Sequence, residues 1–231
     1  MSRRLRLFPL NAVLFPGTVL NLHVFEPRYK QLIDECVRNG EDFGVVLIHE
    51  GREAGDPAVE PRSVGSVAQI TEVTQLPFGR FFVSTIGGRR FRIVKILSRE
   101  PFLTVEAEML ADVLEERGTA LELCERVRSA FIEYLKLTLP FSGEEKDVDL
   151  PEDPLRVSYV VGDALHVADG LKQRLLEIDS ADVRLKVELG FLERLLPQLQ
   201  KLLERRQARD PKHSTERTKQ EKYFGKYFSL N

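Results

Sequence analysis

Two rhythms of apolar residues divide the chain. Up to about Asp112 they recur mostly at every second position, and from about Glu115 at every third or fourth. The first rhythm is that of strands and the second that of helices. In the first part, "LRLFPL", "TVLNLHVF", Phe43 to Ile48, "VGSVAQITEVTQL", "RFFVSTIGGRRFRIVKIL" and "PFLTVEAEML" read as strands. Turn-forming stretches separate them: Gly51 to Ser63, Pro77-Phe78-Gly79 and Glu100-Pro101. About six short strands at hairpin spacing predict a small, mostly antiparallel barrel or sandwich. Gly87-Gly88 interrupts the longest run, and a bulge or bend there would help the sheet close.

One helix interrupts the strands. Tyr29, Leu32, Ile33, Cys36 and Val37 fall on one helical face, Pro27 suits its first turn, and Asn39-Gly40 suits its end. Phe25-Glu26-Pro27 is therefore a strand-to-helix junction. The second part opens with a stripe of Leu121, Cys124, Val127, Phe131 and Tyr134 that is expected to stop before Pro140. Asp153-Pro154 reads as an N-cap followed by a first-turn proline. "GLKQRLLEI" is a short helix. A last helix starts after Asp179-Ser180 and carries Leu185, Leu189, Leu192, Leu196, Leu199 and Leu203 as a heptad-like seam, with Pro197 expected to kink it. The pattern predicts an α+β chain: a barrel subdomain at 1–112 with one inserted helix at about 27–39, a helical subdomain at 113–206, and a flexible basic tail at 207–231. The tail carries the doublet Lys222-Tyr223-Phe224 and Lys226-Tyr227-Phe228.

Composition narrows the class. Hydrophobic residues are 42% and charged residues 30% of 231 residues, as in globular domains, and the formal net charge of −2 gives no overall pull toward nucleic acid or membrane. The N-terminal "MSRRLRLFPLNAVLFPGTVL" is interrupted by Pro9, Asn11, Pro16 and Gly17 and lacks a small-residue cleavage site, so it reads as a mature strand. No apolar run approaches the roughly 20 residues that span a bilayer. Cys36 and Cys124 fall on apolar helix faces and read as buried thiols of a reducing cytoplasm.

The stretches "LFPLNAVLFPGTVLNLHVFEPRYKQLIDECV", "FGVVLI", "GREAG", "VGSVAQITEV" and "GRRFRI" resemble the amino-terminal substrate-binding domain of the Lon ATP-dependent proteases, LFPG and FEPRY being the specific motifs. "DPLRVSYVVGDAL" and "KQRLLEIDSADVRLKVELGFLERLL" extend the likeness over about Leu5 to Arg205. The resemblance implies a PUA-like β-barrel followed by a helical bundle, in a region that helps recognise unfolded or tagged proteins. The chain contains no G-x-x-x-x-G-K-[ST] phosphate loop, nor length for an ATPase or Ser-Lys peptidase domain. The expectation is a stand-alone, non-catalytic, cytoplasmic accessory to protein quality control. Its partners would be unfolded or tagged polypeptides and a separate protease.

Candidate contacts to polypeptide are Phe15, Glu26, Arg28, Tyr29 and Phe78. Glu26 and Arg28 could grip a peptide backbone, or could simply suit a helix N-terminus. Aromatics near turns could line an apolar groove, or could fill the core. The tail doublet could occupy such a groove. A nucleophilic pairing of Cys36 with His23, His49 or His166 is disfavoured by the buried face on which Cys36 falls. No His or Cys spacing suggests a metal, and no cofactor is implied. A second reading is RNA binding by the basic strand Arg89, Arg90, Arg92 and Lys95 around Phe91 and Ile93. A third is a structural module that meets a dedicated protein partner through the leucine seam.

Overall fold

The structure, a computed structural model, describes residues 2–53, 58–142 and 150–209. Six strands come first: β1 (Ser2–Leu10), β2 (Val19–Val24), β3 (Phe43–Glu50), β4 (Glu60–Leu76), β5 (Arg80–Ser98) and β6 (Thr104–Met109). Helix α1 (Pro27–Asn39) lies between β2 and β3. Then follow α2 (Arg117–Ser142), α3 (Pro154–Ala164), α4 (Asp169–Glu177) and α5 (Ala181–Arg209). This is the α+β arrangement that the two rhythms announce. Two boundaries differ from the sequence expectation. Strand β4 begins at Glu60, inside the stretch read as a turn, and α2 runs through Pro140 to Ser142. The tail doublet and most of the acidic loop after Ser142 lie outside the described residues.

The sheet order is β2-β5-β4-β3-β1-β6, and an added β5–β6 pairing closes a barrel. Among these six strands all pairings are antiparallel except β1–β3. Strand β2 sits outside the closed ring and, among the described strands, pairs only with β5, from Val19↔Ile86 to Val24↔Phe81. Strand β1 changes neighbours midway. Ser2–Arg6 pairs with β6, whereas Leu7–Leu10 pairs with β3 alone among the described strands. The β4–β5 register shifts between Ser66↔Arg90 and Ala68↔Gly87, so the bulge falls at the glycine pair.

The LFPG motif is explained by that bulge. A Cβ on Gly87 would stand 2.0 Å from the Phe15 carbonyl oxygen, so only glycine admits the passing chain. The two segments are tied by Gly17 N–H to the Gly87 carbonyl (2.7 Å) and Gly87 N–H to the Thr18 carbonyl (2.8 Å). Gly17 itself has φ +80°, the left-handed region that favours glycine. Phe15 is fully buried beside Tyr159 and Gly162.

Two apolar clusters organise the strands. One gathers Phe8, Leu22, Val24, Phe43 and Phe102 around the buried face of α1, made of Tyr29, Leu32, Ile33 and Cys36. Each large side chain so buried contributes about 1.5–3 kcal/mol. The other fills the barrel with Leu5, Leu7, Val46, Val67, Phe91 and Val105. Gly40, left-handed at φ 63°, ends α1 by donating to the carbonyls of Cys36 and Val37. Asp153 caps α3 by accepting from Arg156 N–H.

By contacts the chain divides into two compact units, Met1–Glu125 with Asp149–Glu188, and Arg126–Val148 with Leu189–Asn231. Two of the dividing points, after Glu125 and after Glu188, fall inside α2 and α5. Within the second unit, Arg126 pairs with Glu193 at 3.1 Å and Gln200 donates to Glu133 at 2.7 Å. Phe131 and Tyr134 stack there. Leu121, expected on the buried stripe of α2, is exposed, and Leu123 is buried instead. The later seam leucines, Leu196, Leu199 and Leu203, are half-buried.

Candidate functional site

The strand-to-helix junction forms one wall of a cleft of about 300 Å³. Phe8 and Leu10 come from the singly paired end of β1, and Asn21 to Val24 from β2. Phe25 and Glu26 come from the junction, Tyr29 from the first turn of α1, and Glu53 from the loop after β3. Phe8 and Tyr29 stack at 4.0 Å between centroids, and the Arg28 guanidinium lies 4.5 Å from the Tyr29 centroid. Burial pushes the Tyr29 hydroxyl up to about 12; Arg28 opposes this, and the charges of Glu26 and Glu53 add to it. Tyr29 is thus a neutral donor at any physiological pH.

Proline at the first helical position and Glu26 just before it fix this corner. The Glu26 carbonyl accepts from the Tyr29 and Lys30 N–H groups, but its side chain makes no cap hydrogen bond to the helix. It accepts instead from Arg28 Nε at 3.0 Å, and the pair is half-buried. Glu53 accepts from the Asn11 backbone N–H at 3.1 Å, which holds its carboxylate beside the end of β1. Among the described residues, the lining therefore carries two carboxylates and no lysine or arginine.

The sequence candidates separate. Glu26 and Tyr29 line the cleft, and Arg28 stands behind them. Phe15 does not reach any surface, being 0% exposed. It is a core residue because its carbonyl and ring are clamped by Gly87 and α3. Phe78 is 91% exposed at the tip of the β4–β5 hairpin, in the short turn Pro77–Gly79. Its φ of 64° is unusual for a residue with a side chain. Arg80 covers its ring at 5.8 Å. Leu22 and Glu53 are not among the sequence candidates, and His23 enters only as a disfavoured base for Cys36. Phe25, which the sequence places in the strand-to-helix junction, is 58% exposed at the rim of the cleft.

The basic strand is broken up by its neighbours. Arg90 is fully buried, paired with Asp112 (2.7 Å) and Asp179 (3.1 Å), and donates to the carbonyls of Ala111, Leu176 and Ile178. Asp112 also accepts from the Tyr159 hydroxyl. Arg92 stands opposite Glu108, and Lys95 opposite Glu106. Only Arg89, Arg92 and Lys95 of the four are exposed, and two of those face acids. Cys36 is buried, and burial pushes its thiol up to about 11, far from a nucleophile's range. Among the described residues no three His, Cys, Asp or Glu side chains gather as metal ligands, and no helix is long and apolar enough to cross a membrane.

Comparison with known proteins adds to this geometry. Residues 4–194 match the family described as the ATP-dependent protease La (LON) substrate-binding domain. The chain is 27% identical over 225 residues to a Lon protease of Brevibacillus choshinensis, covering 96% of this chain and 29% of that protein. It is 29% identical over 216 residues to a Lon protease of Rhizobium meliloti, covering 92% of this chain and 26% of that protein. The chain thus spans between a quarter and a third of the length of these relatives. Among solved structures it is similar to a Lon N-terminal domain protein from Xanthomonas campestris, with TM-score 0.61, 27% identity, 81% of this chain and 98% of the other covered. It also superposes on the N-terminal domain of a Mycobacterium avium complex Lon protease, with TM-score 0.65, 18% identity and 83% and 98% covered, a likeness of fold.

Proposed function

The chain belongs to the Lon substrate-binding domain family, and from that premise we propose that it binds unfolded or tagged polypeptide without catalysing a reaction. The observation that carries this reading is the cleft at the FEPRY junction. It has an apolar floor of Phe8, Leu10, Leu22 and Tyr29, an exposed aromatic at its rim, Phe25, and an open strand edge alongside. An unfolded chain offers the matching features, apolar side chains and unpaired backbone groups.

Phe78 is a second contact in this proposal. Val24, at the end of β2, stands opposite Phe81, three residues after Phe78. A left-handed backbone costs a bulky residue about 1–2 kcal/mol, and the core gains nothing from an aromatic ring that stands in solvent. Holding it there supports a role at the surface. The chain would act in the cytoplasm as an accessory to protein quality control, presenting clients to a separate protease.

The test is a fluorescence-anisotropy titration with a labelled, permanently unfolded protein and, in parallel, with labelled single-stranded RNA, each at low and high salt. The reading expects saturable polypeptide binding that survives salt, because apolar contacts are not screened. RNA binding that collapses with salt, with no polypeptide binding, would overturn it. Binding to neither would also overturn it, and would turn attention to the leucine seam and a dedicated partner.

A further inference from the structure

Side chains of a strand alternate between its two faces, so a groove on one face is lined by every second residue. The cleft is lined by Asn21, Leu22, His23 and Val24 in succession. Asn21 and His23 are exposed, while Leu22 and Val24 are buried. A surface that meets both sets meets the edge of the strand, and among the described strands β2 has one neighbour, β5. Across the cleft, Phe8 and Leu10 belong to the part of β1 that pairs with β3 alone. The cleft therefore runs along the outer edge of β2, with one face of the end of β1, the face that carries Phe8 and Leu10, across it.

We propose that this gap takes an extended polypeptide segment as an added strand on β2, and that it selects segments with a lysine or arginine among apolar residues. This rests on the polypeptide-binding reading and specifies its mode. Backbone hydrogen bonds to β2 give affinity, and alternate side chains of the added strand point with Leu22 and Val24 toward the Phe8–Tyr29 floor. The selectivity comes from charge. Among the described lining residues, beside His23, the gap carries the carboxylates Glu26 and Glu53 and no lysine or arginine. Glu26 is engaged by Arg28, so Glu53, fixed by the Asn11 N–H, is the partner for an incoming cation. An acidic segment would meet the same carboxylates and be repelled.

The experiment uses the full chain and labelled nine-residue peptides of alternating apolar and polar residues, carrying either one lysine or one glutamate. Each is also made with its backbone N-methylated on one alternate set of residues or on the other. The lysine peptide is expected to bind about three- to fivefold more tightly than the glutamate peptide, as one partly exposed ion pair allows. Glu53→Gln, which keeps an oxygen for Asn11, should erase that preference. An added strand bonds to its neighbour through every second residue. Methylating one set should therefore weaken binding about tenfold or more, while the other set changes it less than about twofold. Equal tolerance of both sets overturns strand addition, and equal binding of lysine and glutamate peptides overturns the charge selection. Either result, with an unfolded protein still binding, leaves the broader reading standing. If neither peptides nor an unfolded protein bind, both fail.

Discussion

Arg90→Ala is the sharpest structural test, because sequence places this arginine on a basic surface and the structure places it in the core. Its side chain is 0% exposed. Its Nε donates to Asp112 at 3.0 Å, and its terminal nitrogens reach Asp112, Asp179 and the carbonyls of Ala111, Leu176 and Ile178. Truncation leaves three carbonyls without this donor. Asp112 keeps the Tyr159 hydroxyl and, at 3.7 Å, Arg184. Asp179 is half-exposed and turns to water, so its share is small. Removing one partner of a buried, hydrogen-bonded charge pair costs about 3–5 kcal/mol. That is a large part of the roughly 5–15 kcal/mol by which domains are stable. Urea unfolding followed by far-ultraviolet circular dichroism reads the loss. At a slope near 2 kcal/mol/M the midpoint should fall by about 1.5–2.5 M. Arg90→Lys should recover only part, since one ammonium cannot span Asp112 and the carbonyls of Leu176 and Ile178 together. A loss under about 1 kcal/mol for Arg90→Ala is the behaviour of a surface ion pair, and would refute the burial argument.

Glu188 is fully buried, neither of its carboxyl oxygens has a hydrogen-bond partner among the described residues, and burial raises its carboxyl well above 4.5 against the opposing charge of Arg184. The unfolded carboxyl loses its proton first, so stability falls by ~1.4 kcal/mol per pH unit from about 4.5 up to the folded value; Glu188→Gln should flatten that slope, and a pH–stability profile identical to the parent's would count against it. Gly87→Ala forces a Cβ to 2.0 Å from the Phe15 carbonyl oxygen and should cost about 1–3 kcal/mol or more in a thermal melt. Gly118→Ala, with nothing within 4 Å, serves as the control; equal melting temperatures for the two variants would contradict the close approach. Phe25→Asp, at an exposed position, should leave stability within about 0.5 kcal/mol yet weaken unfolded-polypeptide binding about tenfold in anisotropy; undiminished binding would remove the rim from the site.

What sequence showed and what it hid divide along a physical line. Of the stripe Tyr29, Leu32, Ile33, Cys36 and Val37, the first four form the buried face of α1, because helical periodicity is local, while Val37, at the end of the helix, is exposed. The proline start and glycine end of α1 were legible as well. The glycine pair at 87–88 announced a bulge, which the β4–β5 register bears out. LFPG was visible as a motif, but not its reason, since Phe15 is buried by Gly87 and by α3, far along the chain. Arg90 shares a strand face with the exposed Arg92; what buries it is a set of carbonyls 86 and 88 residues later. The candidate cleft was hidden for the same cause. No local pattern says that β2 is an outer strand, or that Glu53 and Phe8 meet beside it.

The most direct measurement is hydrogen exchange of the full chain with and without an excess of unfolded polypeptide. Polypeptide seated at the FEPRY cleft should slow exchange across residues 19–29, at β2 and the first turn of α1, and leave residues 89–95 unchanged. Protection confined to 89–95, or none at 19–29 while the polypeptide is demonstrably bound, would contradict the account.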